Sequence, residues 1–168
     1  MTRAVVALGS NLGESVGLID AARRALDASP GTWVVGVSPM YSSLAHTPEG
    51  VADSERYVNA VAIVETDAQP LELLHLLQAI EVELGRPREH GHWMPRTIDL
   101  DLVTLGDVVM DSAELTLPHP RAHERVFVLQ PWSDLDEHAQ LAGEPIANLL
   151  GRCSAEERAA LIQLEVGE

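Results

Sequence analysis

The chain has 168 residues, a formal net charge of −15, one cysteine (Cys153) and eleven basic residues, every one an arginine. That length buries about two thirds of the unfolded surface without staples, so one domain over residues 1–168 is expected. The lone thiol excludes an intramolecular disulfide and a thiolate zinc cluster, the absence of lysine excludes a Walker A site, a Schiff base and a lysine general base, and the acidic charge disfavours nucleic acid.

No run approaches the roughly 20 apolar residues of a membrane span, and the first residues read as a strand rather than a signal segment, so a cytoplasmic protein is expected. Arg3 to Gly9 reads as a buried strand, and Gly9-Ser10-Asn11-Leu12-Gly13 as a loop opening a helix over residues 14–28. Its glycines lack the residues that complete a phosphate loop, and a turn with special backbone angles is the better reading. Thr32 to Ser42 is rich in β-branched and aromatic residues and predicts a second strand, followed by a long loop over 43–56 of the kind that usually serves function. Tyr57 to Thr66 predicts a third strand. Pro70 to Leu84 predicts a helix with Leu73, Leu77, Ile80 and Leu84 as its apolar stripe and Gly85 as its stop.

A second loop, Arg86 to Pro95, leads into a strand over Thr97 to Leu105. Short returns follow at 108–110 and 115–117, Pro118-His119-Pro120 forces a turn, and Ser154-Ala155-Glu156-Glu157 is a capping box that starts a terminal helix. The core order β-α-β-β-α-β predicts an α+β fold of the ferredoxin-like kind with a C-terminal appendage of short strands and helices. Its antiparallel sheet would carry helices on one face and leave the other open to a ligand.

The stretch from Pro95 to Val103 carries the most chemistry. Alternation along a strand puts Asp99 and Asp101 on one face, about 6 to 7 Å apart, with Ile98, Leu100 and Leu102 on the other. Two such carboxylates repel, a cation between them is the usual remedy, and the pair reads as a magnesium site. Arg86, Arg88, Arg96, Arg121 and Arg125 all fall near this strand in sequence, and guanidinium forks match phosphate oxygens. Paired Asp with clustered Arg predicts a polyphosphate site; an isolated Asp-Leu-Asp would more simply be a solvated edge strand.

An ordered set of motifs spans most of the chain: Ala7-Leu8-Gly9-Ser10-Asn11-Leu12-Gly13, Tyr57-Val58-Asn59-Ala60, Gly85-Arg86-Pro87-Arg88, the run from Trp93 to Asp101, and Leu117-Pro118-His119-Pro120-Arg121 with Arg125 and Phe127. Together they resemble the 6-hydroxymethyl-7,8-dihydropterin pyrophosphokinases, which pass the terminal diphosphate of ATP to a reduced pterin and release AMP on the way to folate. The resemblance implies that Asp99 and Asp101 bind two Mg2+ ions and, with Arg86 and Arg96, form the catalytic set. ATP would be bound by Gln78, Glu81, Arg86, Trp93, Arg96, Ile98, Thr116, His119 and Arg125. The pterin would be held by Ser43, Tyr57, Asn59, Trp93 and Phe127. Trp93 would help cover the site when both substrates are in place. A monomer is the family default, and charge and the lack of an apolar span predict that it binds neither nucleic acid nor membrane.

Three features depart from the commoner pattern: the longer stretch 42–56, Met94 beside Trp93, and Glu114 where some members carry a basic residue near the nucleotide. Two other readings fit the same carboxylates and arginines, a two-metal nuclease domain and a non-catalytic nucleotide-sensing module. The net charge and the missing lysines argue against the first. AMP release that depends on magnesium separates the enzyme from the second.

Overall fold

The computed structural model describes residues 1–10, 15–47, 50–85 and 98–164, with backbone alone for 44–47 and 50–56. The second predicted loop, with Arg86, Arg88, Trp93, Met94 and Arg96, lies outside the described residues, as do Asn11 to Gly13.

The first strand, β1 (Thr2–Ser10), is followed by α1 (Ser15–Asp27), β2 (Thr32–Val37), β3 (Tyr41–Thr47), β4 (Gly50–Thr66), α2 (Pro70–Gly85) and β5 (Asp99–Leu105). The appendage is a small hairpin, β6 (Met110–Asp111) and β7 (Thr116–Leu117), then a 3-10 turn (Ala122–Glu124), α3 (Val126–Leu135), β8 (Gln140–Leu141), β9 (Glu144–Pro145), α4 (Ile146–Arg152), α5 (Ala155–Ala160) and β10 (Ile162–Gln163). This is an α+β fold built on an antiparallel sheet in the order β10-β3-β4-β1-β5, with β2 also paired to β4.

Two expectations about the second strand are corrected. The stretch 32–42 is two strands, because Pro39 supplies no backbone N–H and the ladder cannot run through it. Ser38 fills the gap: its backbone N–H donates to the Val61 carbonyl (2.9 Å) and its hydroxyl accepts from the Val61 N–H (2.9 Å). The stretch 43–56 is not a free loop either. Its backbone continues β3 and begins β4, a long hairpin in which Ser43 faces Tyr57 and Tyr41 faces Asn59.

Helices cover both faces of the sheet, which corrects the expectation of one open face. On one side Ala4, Val6 and Leu8 of β1 and Ala60, Ala62 and Val64 of β4 pack on Ile19, Ala22 and Leu26 of α1 and Leu73, Leu77 and Ile80 of α2. On the other, Val5 and Ala7, Val61 and Ile63, and Val103 pack on Val128, Leu129 and Trp132 of α3 and Ile146 and Leu149 of α4. A bulge in the β1–β5 pairing beside Val5 and Val6 lets Leu102 and Leu105, three residues apart, share the first side. The apolar run of α3 is what covers the second side, and it does so over only part of its length.

Leu129 is fully buried in that second cluster, whereas Val109 is 82% exposed. Leu129→Ala should cost about 2–5 kcal/mol of unfolding free energy, while Val109→Ala should stay within about 0.5 kcal/mol. Urea unfolding of the two variants checks this, and equal midpoints would mean that the α3 layer adds little to stability.

Candidate active site

Where α3 stops covering the sheet, the second face opens into a cavity of about 780 Å³. Three strands supply its floor in register. Gly9 of β1 sits between Asn59 of β4 and Asp99 of β5, and Ala7 sits between Val61 and Asp101. Tyr57 and Ser43 extend the floor onto β4 and β3, and Arg121, Glu124, Arg125 and Phe127 line the cavity from the turn and the start of α3.

Gly9 was expected to serve a turn. It is instead a strand residue without positive φ, and its missing side chain has a different use. A Cβ at Gly9 would lie 3.0 Å from Oδ1 of Asn59. The Asn59 side chain therefore crosses the floor over Gly9. Asn59 is 6% exposed, and its Nδ2 donates to the Ser43 hydroxyl at 2.6 Å. This bond fixes the carboxamide orientation and leaves it little room to retreat.

Asp99 is half-buried and Asp101 exposed, both facing the cavity as strand alternation requires. Leu100, between them, points to the first core, and its N–H donates to the Glu81 carboxylate at 2.9 Å. Glu81 thus ties α2 to the strand that carries the aspartates. Ile98 is buried in the first core.

His119 follows the cis Leu117–Pro118 bond, and its own N–H donates to the Val103 carbonyl at 2.8 Å. Its Nδ1 accepts from the Arg121 N–H at 3.1 Å, so the neutral ring carries its proton on Nε2. Burial lowers the His119 pKa from its ordinary value, Asp101 opposes the shift, and Arg125 and Arg121 add to it. At neutral pH the ring is an uncharged donor. Arg125 lies over the Phe127 ring, 5.6 Å from its centroid, a cation–π pair between two residues that line the cavity.

The structure brings Ser43, Tyr57, Asn59, Asp99, Asp101, Arg125 and Phe127 into one cavity. Gln78, Glu81, Ile98, Thr116 and His119 are not part of its wall. Gln78 is exposed on α2, and the Thr116 hydroxyl donates to Asp111 at 3.2 Å. Glu114 and His75 of α2 share a hydrogen bond at 3.0 Å. Arg86, Trp93 and Arg96 fall outside the described residues.

Several cavity residues were not legible in sequence. Ala7 and Gly9 follow from knowing which residues oppose Asn59 and the aspartates, and no local motif carries that pairing. Glu156, Glu157, Ala160 and Leu161 come from the far end of the chain.

Residues 5–137 match the family model for 7,8-dihydro-6-hydroxymethylpterin-pyrophosphokinase (HPPK). The chain belongs to the HPPK family. It is 44% identical over 155 residues to the 2-amino-4-hydroxy-6-hydroxymethyldihydropteridine pyrophosphokinase of Pseudomonas aeruginosa, covering 92% of this chain and 93% of that protein. The Haemophilus influenzae protein of the same name is 38% identical over 158 residues, covering 94% and 96%. Among solved structures, an HPPK-DHPS in complex with substrates superposes with a TM-score of 0.74 at 12% identity, over 98% of this chain and 47% of that one. The wild-type Plasmodium falciparum HPPK-DHPS gives 0.66 at 15% identity, over 90% and 43%. The chain thus spans about half the length of those two structures, and the likeness to them is one of fold. Membership of the HPPK family decides against the nuclease and sensor readings.

Gly9→Ala should force the Asn59 carboxamide off its Ser43 bond. The expected cost is about 1–3 kcal/mol, or about 2–12 °C in Tm. The Asn59 side-chain amide resonances should shift with it. Unchanged resonances and Tm would show that Asn59 does not depend on the bare backbone at Gly9.

Proposed function

We infer that this HPPK chain transfers diphosphate from ATP to the hydroxymethyl oxygen of 6-hydroxymethyl-7,8-dihydropterin, releasing AMP, in folate biosynthesis. The observation that carries the site assignment is the row Asn59-Gly9-Asp99. It sets a buried amide and a carboxylate on either side of a bare backbone, within one cavity. We assign the Asn59 side to the pterin and the Asp99 side to the phosphates.

A pterin is flat, with hydrogen-bonding groups on its edge. Tyr57 and Phe127 supply rings at the cavity, and Asn59 supplies an oriented amide held by Ser43. Each wall fits a part of the ring system.

The described cavity wall holds five carboxylates, Asp99, Asp101, Glu124, Glu156 and Glu157, against two guanidinium groups, Arg121 and Arg125. An ATP triphosphate would meet net repulsion there. Asp99 and Asp101 are hard oxygen donors suited to Mg2+, and among the described residues no third acidic, histidine or cysteine side chain completes an all-protein cage. That donor set fits an ion that takes its remaining ligands from phosphate and water. We propose that Asp99 and Asp101 are the residues that would hold two such ions. When bound there, Mg2+ would supply positive charge to the phosphate oxygens and to the leaving AMP oxygen.

The chain's own residues do the rest. Asn59 and Ser43 fix the pterin edge so that its hydroxymethyl oxygen faces the β-phosphorus in line, and pre-orientation of this kind removes much of the entropic part of the barrier. The hydroxymethyl oxygen gains a bond to the β-phosphorus and releases its proton to solvent water, while the bond from that phosphorus to the α–β bridging oxygen breaks and its electron pair leaves with AMP. Arg125, positioned by Phe127, and the neutral Nε2–H of His119 are donors for the phosphate tail. Arg86, Arg96 and Trp93 take the phosphate-binding and covering roles we expect for the family, with Gln78, Glu81, Ile98 and Thr116 on the nucleotide side.

We also read the sheet as ferredoxin-like, supported by β4 lying between β2 and β1 and by β1 lying between β4 and β5. One domain is supported by all four longer helices packing on a single sheet. No described helix is long and apolar enough to cross a membrane. We take the protein as a cytoplasmic monomer that does not act on nucleic acid.

The test is AMP formation from Mg2+-ATP with and without the pterin, in the natural chain and in Tyr57→Ala. AMP should require both pterin and Mg2+. Tyr57→Ala should raise the pterin KM by about tenfold or more with the ATP KM nearly constant, as expected when a stacking ring is lost. AMP formed without pterin, or an unchanged pterin KM in the variant, would contradict the assignment.

A further inference from the structure

The end wall of the cavity is built by α5 and the residue after it, beyond the segment 5–137 that the family model covers. Its position is fixed at both ends. The Ser154 hydroxyl accepts from the Glu157 N–H at 3.1 Å, the N-cap half of the capping box expected from the sequence, and donates to the Glu157 carboxylate at 3.0 Å. After α5 the chain returns as β10, pairing Ile162 with Ser42 and Gln163 with Tyr41, and the Leu164 N–H donates to the Met40 carbonyl at 2.8 Å.

The strand that receives β10 is itself anchored. The buried Tyr41 hydroxyl donates to the Asp134 carboxylate of α3 and contacts Gln163 at 3.4 Å. Burial and Asp134 push the Tyr41 pKa up to about 12, so the phenol keeps its proton in any ordinary buffer. The next residues on this strand are Ser42, which pairs with Ile162, and Ser43, which holds Asn59. The C-terminal return therefore docks directly beside the amide assigned to the pterin.

Leu161 sits at the junction. Ile162 is 53% exposed, whereas Leu161 is half-buried and lines the cavity with Ala160. Among the described residues Leu161 joins neither hydrophobic cluster. A leucine pinned by a strand and a capped helix, yet packed into no core, presents apolar surface to whatever fills the cavity.

Resting on the reading of this cavity as the pterin pocket, we propose that Leu161, backed by Ala160, is a specificity-determining wall for the pterin ring. It would contact the apolar part of the heterocycle held between Tyr57 and Phe127. The small side chain at Ala160 leaves the depth that a two-ring system needs.

The experiment is calorimetric binding of 6-hydroxymethyl-7,8-dihydropterin and, separately, of α,β-methylene-ATP with Mg2+, to the full chain and to Leu161→Ala, Leu161→Met, Ala160→Trp and Tyr57→Ala. Leu161→Ala should weaken pterin binding by about tenfold, the loss expected when a leucine contact is cut back to a methyl group. Leu161→Met should restore most of it, Ala160→Trp should block the pterin, and ATP-analogue affinity should stay within about twofold throughout. Pterin affinity unchanged in Leu161→Ala but reduced in Tyr57→Ala would overturn the wall alone. Unchanged pterin affinity in both would overturn the wall together with the pocket it rests on. Equal losses of pterin and nucleotide affinity, tracking a fall in Tm, would reduce Leu161 to a purely structural residue and overturn the proposal as well.

Discussion

The site depends on the way one face of the central sheet changes character along its strands. On β1 the residues of that face run Val5, Ala7, Gly9; on β4 they run Ile63, Val61, Asn59; on β5 they run Val103, Asp101, Asp99. At one end all three strands present β-branched side chains, and α3 and α4 seal them from water. At the other end the side chains shrink or turn polar, the helical cover stops, and the cavity begins. A single antiparallel register therefore serves two purposes. It anchors the sheet through an apolar core and lays functional groups side by side a few residues further on.

Gly9 is the hinge of this arrangement in the steric sense. A side chain there would stand between Asn59 and Asp99 and displace the amide from Ser43. Charge follows the same gradient. The wall around the Asp pair is more acidic than basic among the described residues, so under the proposed reading nucleotide binding would need an added cation and arginines beyond the sheet. Arginine suits that task better than lysine would, because its planar fork stays charged and can hold two phosphate oxygens at once.

Much of this was legible in the sequence. The period-2 pattern through Asp99 and Asp101 fixed their common face, and Tyr57 and Asn59 followed by the same rule. Helices α1 and α2 fell within a residue or two of expectation, and for α2 the apolar stripe and the stop at Gly85 agree. The misses have physical reasons. The β3–β4 hairpin lacks the alternating apolar residues that mark a strand, since much of it is small, polar or acidic. The break at Ser38 to Met40 depends on a hydroxyl standing in for a ladder hydrogen bond. The second helical layer was missed because the apolar run of α3 contains Pro131 and gave no clean stripe. The C-terminal wall is out of reach of any local pattern, since β10 is two residues long and its partner lies about 120 residues earlier.

The central claim is that the Asp99–Asp101 face beside Gly9 is where metal and phosphate meet. Paramagnetic broadening by Mn2+, added with α,β-methylene-ATP to labelled protein, tests it most directly. The amide signals of Ala7, Leu8, Gly9 and residues 99–101 should disappear first, and Asp101→Asn should abolish the effect. Broadening centred on Glu124, Glu156 and Glu157, and surviving Asp101→Asn, would place the metal elsewhere and contradict the account.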